Sequence, residues 1–209
     1  MIKRIFGFYA LPMRIIARPF AGFYAMKFEE KGTVRLALFN FFLVLLSFAF
    51  SNQFASILVD ERHPLTINSV SDAFFLIATL LLFCVANWSV TALTDGEGRF
   101  KDIVMAVCYA MTPLVLTIVP ATILSNFLSA EETGLYFLLM GAGVFYFVLL
   151  VFVGLLTVHN YGAVKMVITL LLTIVSILVI VFLLTLTFTL FQQLYSFLYS
   201  VYTEIIFRI

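Results

Sequence analysis

Charged residues are scarce in this chain of 209 residues. Lys, Arg, Asp and Glu together make up 11% of the sequence, whereas hydrophobic residues make up 64%. A soluble domain is usually about half apolar. The scarcity of charge therefore argues against a soluble globular domain and predicts a protein whose solvent is the lipid bilayer.

Histidine and cysteine are also rare, with two of each. His63 and His159 are predicted on opposite sides of the membrane, so they cannot share a metal ion. Cys84 and Cys108 lie in apolar runs without the ligand spacing of a metal site. We expect them to be buried, reduced thiols and not a disulfide. The sequence thus predicts no metal site and no cofactor.

Catalytic motifs are missing as well. Gly96-Glu97-Gly98 lacks the preceding strand and the third glycine of a dinucleotide-binding loop. The apolar runs contain almost no charged groups, which coupled transporters usually place at membrane depth. The polar residues expected there are Asn40, Asn87 and Tyr109, which are suited to interhelical hydrogen bonds. We expect no catalytic residues, and the lack of buried charge argues against a transporter.

What the sequence does contain is five long apolar runs. They cover about residues 34–58, 73–93, 103–128, 135–158 and 166 onward. Each is at least as long as the roughly 20 residues that a helix needs to cross the hydrocarbon. The predicted fold is all-α, a polytopic membrane helical bundle with five transmembrane helices, an N-terminal amphipathic helix and a long C-terminal helix.

The last run is too long for one crossing and changes character along its length. As one helix, residues 166–209 would extend about 66 Å, against about 30 Å of hydrocarbon. Its second half places polar residues on one helical face and apolar residues opposite. The polar residues are Gln192, Gln193, Ser196, Ser200, Thr203 and Glu204. This pattern predicts an extension that anchors at the interface or docks a partner.

The N-terminal residues 1–30 are predicted to form a basic segment ahead of a membrane domain over residues 31–209. Residues 1–35 have a net charge of +5 and the remainder −4. Lys3, Arg4, Arg14 and Arg18 share one face of a helical wheel. We expect an amphipathic helix on an anionic lipid surface, divided into two at Pro12, and no nucleic-acid partner. A loose basic leader that only sets topology is the alternative.

The distribution of cations predicts the orientation. With the N-terminus in the cytoplasm, ten Lys and Arg side chains are inside and two outside. Five crossings then place the C-terminus outside.

The only charge-dense segment between two apolar runs in the interior of the chain follows the second run. Gly96 and Gly98 are expected to supply unusual backbone angles there. Two interpretations stay open: a well-capped helical hairpin, or a surface that a partner protein binds. The candidate partner-binding residues are Asp95, Glu97, Arg99, Lys101 and Asp102.

Two prolines lie in the third run. Pro113 and Pro120 are predicted to kink the helix, either as a hinge or cavity wall or as a static kink. Thr112 and Thr117 could bond the carbonyls that the prolines leave free. In the fourth run, Gly141-Ala142-Gly143 predicts a close helix–helix approach.

Two motifs carry a resemblance to a known family. They are Thr94-Asp95-Gly96-Glu97-Gly98-Arg99-Phe100-Lys101-Asp102 and Tyr109-Ala110-Met111-Thr112-Pro113. With the five runs, they resemble the bacterial branch of the Yip domain family over about residues 20–209. His159-Asn160-Tyr161 and Gln192-Gln193 fit that branch too. The family is named for eukaryotic members that interact with Ypt/Rab GTPases, but their Asp-Leu-Tyr-Gly-Pro signature is missing here.

The resemblance implies a non-enzymatic multi-pass protein of the bacterial cytoplasmic membrane. We expect an accessory or scaffold component that docks onto another membrane complex, such as an ABC-type transporter, and a homo-oligomer is compatible with this. The alternatives are a small transporter or channel, or a membrane-trafficking or membrane-shaping protein like the eukaryotic members.

Overall fold

The computed structural model describes residues 2–59 and 68–207, with side chains from residue 10 onward. Within these ranges the chain is helical, without strands. The helices are α1 (Ile2–Ala17), α2 (Pro19–Lys27), α3 (Val34–Phe54), α4 (Ser69–Leu93), α5 (Phe100–Ala110), α6 (Thr112–Ser125), α7 (Thr133–His159) and α8 (Ala163–Phe207). His63, predicted outside the membrane, lies outside the described residues.

Five segments of the described chain are long and apolar enough to cross a membrane. They are α3, α4, the pair α5–α6, α7 with the short 3₁₀ turn before it, and α8. The all-α fold with five candidate spans and a long C-terminal helix is therefore confirmed.

The third span consists of two helices that meet at Met111. Pro113 lies in the first turn of α6, where a missing backbone N–H costs little. The carbonyl of Tyr109, four residues earlier, accepts a hydrogen bond from the Thr112 hydroxyl at 2.6 Å. Thr112 thus plays the role expected of it. Pro120 lies inside α6, which continues to Ser125.

The N-terminal segment forms two helices, but they do not separate where we expected. Pro12 lies inside α1, and the chain breaks at Arg18 instead. A residue before a proline avoids the helical region, and Arg18 has φ −143° and ψ 80°. Pro19 then begins α2, a position that its fixed φ favours. The division expected at Pro12 is therefore wrong.

The N-terminal helices pack into the bundle. Ile15, Phe23 and Met26 are at most 1% exposed and belong to the main hydrophobic core. The Phe23 ring lies so close to Gly154 of α7 that a Cβ there would be 2.9 Å from it. The described part of this segment is therefore not a loose leader.

The glycine pair in α7 has two different environments. A Cβ on Gly143 would lie 2.1 Å from the Thr117 hydroxyl oxygen of α6, whereas a Cβ on Gly141 would meet nothing within 4 Å. The predicted close approach therefore occurs at Gly143 alone.

The deep polar residues make the interhelical hydrogen bonds expected of them. Asn40 Nδ2 donates to the Cys108 carbonyl at 2.6 Å, and Asn87 Nδ2 donates to Thr173 Oγ1 at 3.2 Å. Tyr109 bonds to the backbone of Thr33. Cys84 and Cys108 are buried free thiols, as predicted.

The last helix runs from Ala163 to Phe207 without interruption. Only its first part packs against α4, where Met166, Thr169 and Thr173 are buried. From residue 181 to residue 202 every residue is exposed. α8 therefore projects from the bundle as one helix.

Candidate functional site

The charge-dense segment lies at one end of the bundle, where three parts of the chain meet. The turn between α4 and α5, the turn between α7 and α8, and the last residue of α2 are in contact there. We call this region the turn end and define it as residues 94–102 and 158–162 together with Lys27.

Tyr161 joins the two turns. Its hydroxyl donates to the Thr94 carbonyl at 2.9 Å and lies 2.9 Å from the Thr94 hydroxyl. The amide of Gly96 donates to the Thr91 carbonyl at 2.9 Å, which closes the last turn of α4. These contacts fix the path of the backbone into the charged segment.

The two glycines serve a different purpose from the one predicted. Neither Gly96 nor Gly98 has a positive φ; that conformation belongs to Asp95, with φ 56°. A Cβ on Gly96 would lie 2.7 Å from His159 Nδ1, and a Cβ on Gly98 would lie 2.6 Å from Val158 Cγ1. Glycine is therefore needed because the turn lies directly against the end of α7.

His159 forms the floor beneath the turn. It is 1% exposed, and its ring stacks on that of Tyr161 with centroids 5.4 Å apart. Its Nδ1 accepts a hydrogen bond from the Gly98 amide at 3.4 Å, while its Nε2 has no partner among the described residues. From the sequence, no local pattern assigned His159 or Tyr161 to the turn, because Gly98 and Thr94, which they contact, lie more than sixty residues away.

Asp102 is buried within the site and shapes it. Its side chain is 4% exposed and accepts from the Arg99 backbone amide and from Arg99 Nε, each at 3.2 Å. These bonds cap the first turn of α5, where a carboxylate also interacts favourably with the helix dipole. Asp102 therefore contacts Arg99 and does not face solvent.

Glu97 and Lys27 connect the turn to the N-terminal segment. Lys27 Nζ lies 3.7 Å from Glu97 Oε2 and donates to the Val158 carbonyl at 2.6 Å. Asn160 Nδ2 donates to Glu97 Oε1 at 3.4 Å. Lys27 thereby satisfies a carbonyl in the last turn of α7, a position that suits a cation. Sequence reasoning did not assign this role to Lys27.

The outer surface of the turn end carries charges of both signs. The side chains of Glu97 and Arg99 are 56% and 69% exposed, and Asp95 and Lys101 are also exposed. Lys165 lies over the Tyr161 ring at 4.2 Å. Four of the five candidate residues are therefore exposed within this one turn, and its backbone is held by partly buried hydrogen bonds. Such a surface can bind a partner by charge complementarity.

The candidate lipid-binding cations lie on α1 and beside it. Arg14 and Arg18 are exposed, whereas the side chains of Lys3 and Arg4 lie outside the described residues. Near the end of the N-terminal segment, Lys31 donates a hydrogen bond to the exposed Glu29. This bond holds the pKa of Glu29 below its ordinary value. The exposure of Arg14 and Arg18 is compatible with lipid headgroup contact.

Within the described chain, no three His, Cys, Asp or Glu side chains are grouped so that they could hold a metal ion.

The comparisons with known proteins identify the family. The Yip1 domain matches residues 13–202, which is most of the chain. The chain therefore belongs to the Yip1 domain family, in agreement with the resemblance of its motifs. Neither the curated proteins nor the solved structures include a significant match.

Proposed function

We propose that this Yip1-family membrane protein is a non-enzymatic accessory or scaffold component that docks onto another membrane complex, such as an ABC-type transporter. The observation that carries the proposal is the exposed mixed-charge surface of Asp95, Glu97, Arg99 and Lys101 on a turn held by partly buried hydrogen bonds to Tyr161 and His159.

Pre-organisation supports this role. Binding costs free energy for every flexible loop that must be ordered at the interface. Here Tyr161, His159 and Lys27 already hold the turn from beneath. A partner therefore meets a turn whose backbone is already ordered.

The proposal places the turn end in the cytoplasm. The ten-to-two cation bias favours a cytoplasmic N-terminus and an external C-terminus in a bacterial cytoplasmic membrane. The exposed Arg14 and Arg18 then lie on the side of the anionic leaflet, where each cation contributes about 1 kcal/mol to lipid binding.

The test is co-purification of bound chains in mild detergent with a variant that changes charge without disturbing the turn. Arg99→Glu is unsuitable, because it would place a second carboxylate beside buried Asp102. Lys101→Glu combined with Asp95→Asn is preferable, since both residues are exposed and Asn tolerates the left-handed backbone of Asp95. We expect the double variant to insert normally and to lose its bound partner.

Glu131→Lys is the matched control. Glu131 is exposed in the 3₁₀ turn before α7, at the opposite end of that helix from the turn end. Like Lys101→Glu, this substitution changes the charge of one position by two units. This variant should retain the partner. If the Lys101→Glu/Asp95→Asn protein retains the same bound chains as the wild type, the turn end is not the docking surface.

A further inference from the structure

The exposed part of α8 extends past the start of α4, the helix against which its first part packs. Tyr161 contacts Thr94, and Thr173 contacts Asn87, so α8 runs antiparallel to α4. At 1.5 Å per residue, Ser69, where α4 begins, lies level with about residue 191 of α8. The segment Phe191–Phe207 therefore projects about 24 Å beyond the start of α4. We call this segment the projecting helix.

The projecting helix has a wide apolar face. Its polar residues occupy about one third of the helical circumference. They are Gln192, Gln193, Ser196, Ser200, Thr203 and Glu204. Along the centre of the apolar face, residues recur at alternating steps of three and four, which is the spacing of a coiled-coil seam. These seam residues are Phe191, Leu194, Leu198, Val201 and Ile205.

The exposed apolar area is large enough for a stable interface. The five seam residues are between 39% and 66% exposed, and Tyr195, Phe197 and Tyr202 beside the seam are 62–71% exposed. Since a single aromatic side chain can bury 150–250 Å², the face offers on the order of 1,000 Å². A standard protein–protein interface buries about 800 Å² per partner.

Two features argue against the apolar face of the projecting helix lying on the membrane surface. No glycine or proline follows Gly162, and α8 is continuous to Phe207, so the helix has no bend that would lay it along the membrane. Interfacial helices usually carry Lys and Arg on the polar face. Between residues 166 and 207 the sequence contains neither.

We propose that the projecting helix is a self-association site, at which the seam of one chain packs against the seam of a second copy in a parallel coiled coil. Copies inserted in one membrane share their orientation, which makes the helices parallel. None of the five seam residues is charged, so the seam itself brings no like charges together when a second copy packs against it. The site is independent of the docking surface proposed for the turn end.

Disulfide cross-linking of the full chain in native membranes tests the register. In a Cys84→Ala/Cys108→Ala background, Leu198→Cys places a thiol on the seam, and Ser196→Cys places one on the opposite face. Under mild oxidation we expect a dimer of the chain for Leu198→Cys and at least a fivefold lower yield for Ser196→Cys. Equal yields at both positions, or no dimer at either, would overturn the proposal.

Light scattering of the detergent-purified protein tests the mass. The wild type should have a multiple of the 23.6 kDa chain mass, and Leu194→Glu/Leu198→Glu should have the single-chain mass. Ser196→Glu should leave the mass unchanged. A wild type with the single-chain mass, or cross-links from Leu198→Cys to another polypeptide only, contradicts self-association. So does quenching of a fluorophore at residue 198 by brominated lipids, which would identify lipid as the cover.

Discussion

The hydroxyl of Tyr109 bonds both backbone groups of Thr33, donating to its carbonyl at 2.9 Å and accepting from its amide at 3.2 Å. Thr33 is the N-cap of α3, and its side chain accepts from the Leu36 amide. Tyr109 lies at the end of α5, next to the interruption of the third span. One side chain therefore links the start of α3 to the middle of the third span.

Replacing Tyr109 with Phe should destabilise the protein by about 1 kcal/mol, because the Thr33 amide loses its bond to the Tyr109 hydroxyl, whereas the Thr33 carbonyl keeps its bond from the Ala37 amide. We expect a lower thermal midpoint in detergent. Tyr24→Phe is the control, since Tyr24 is 53% exposed on α2 and its change should leave the midpoint unaltered. Equal midpoints for the two variants would show that the Tyr109 hydroxyl contributes nothing.

The two glycines of α7 offer a matched comparison two residues apart. Gly143→Ala should destabilise the protein by roughly 1–3 kcal/mol, because the new methyl group would overlap the Thr117 side chain and force α6 and α7 apart. Rotation of Thr117 cannot relieve this, since its Cβ would itself be 2.8 Å away.

Gly141→Ala should instead be neutral or stabilising by up to about 1 kcal/mol, because alanine is the better helix former and the space is open. Denaturation with increasing sodium dodecyl sulfate measures both variants. The interpretation of α6–α7 packing fails if both shift in the same direction.

Hydropathy and polar spacing were enough to predict the five spans, the long last helix and the hydrogen bonding of Asn40, Asn87 and Tyr109. These features depend on local composition or on the cost of an unpaired polar group in an apolar interior. The break at Arg18 follows from a local rule as well, because Pro19 comes directly after it. Pro12, where the division was expected, does not interrupt α1.

The supports of the turn end could not be predicted from local patterns. Gly96 and Gly98 look like residues chosen for backbone freedom, and only the packed structure reveals that His159 and Val158 leave no room for a Cβ. Lys27 reads as one leader cation among several until its distance to Val158 is known. These contacts join residues 60 to 130 positions apart. Helix packing brings such residues together, and no local sequence pattern indicates which of them will meet.

Lys27→Met should weaken the attachment of α2 to the turn end, because methionine keeps the apolar stem of the side chain but lacks the amine. It removes the hydrogen bond to Val158 and the contact with Glu97. A hydrogen bond of a charged group contributes about 1.5 kcal/mol. The state in which α2 is locally unfolded and detached from the bundle should therefore become roughly tenfold more populated.

Chymotrypsin cleavage within α2 measures this opening, because the helical backbone around Phe20, Phe23 and Tyr24 must unfold before the protease can cut it. Lys31→Met is the control, since Lys31 is exposed and paired only locally with Glu29 among the described residues. Cleavage at the same rate in both variants would contradict an anchoring role for Lys27.

Orientation can be measured with single cysteines at opposite ends of the bundle. The cytoplasmic placement of the turn end predicts that Glu131→Cys is labelled by an impermeant maleimide in intact cells and that Lys101→Cys is not. Both positions are exposed, so accessibility within the protein does not limit the reaction.

Cys84 and Cys108 are fully buried and are replaced by Ala to remove background. The Lys101 change lowers the inside cation count from ten to nine against two, so the bias that sets orientation persists. After permeabilisation both positions should react, which verifies that each thiol is reactive. Labelling of residue 101 alone in intact cells would place the turn end outside, and the docking surface would then have to meet an extracytoplasmic partner.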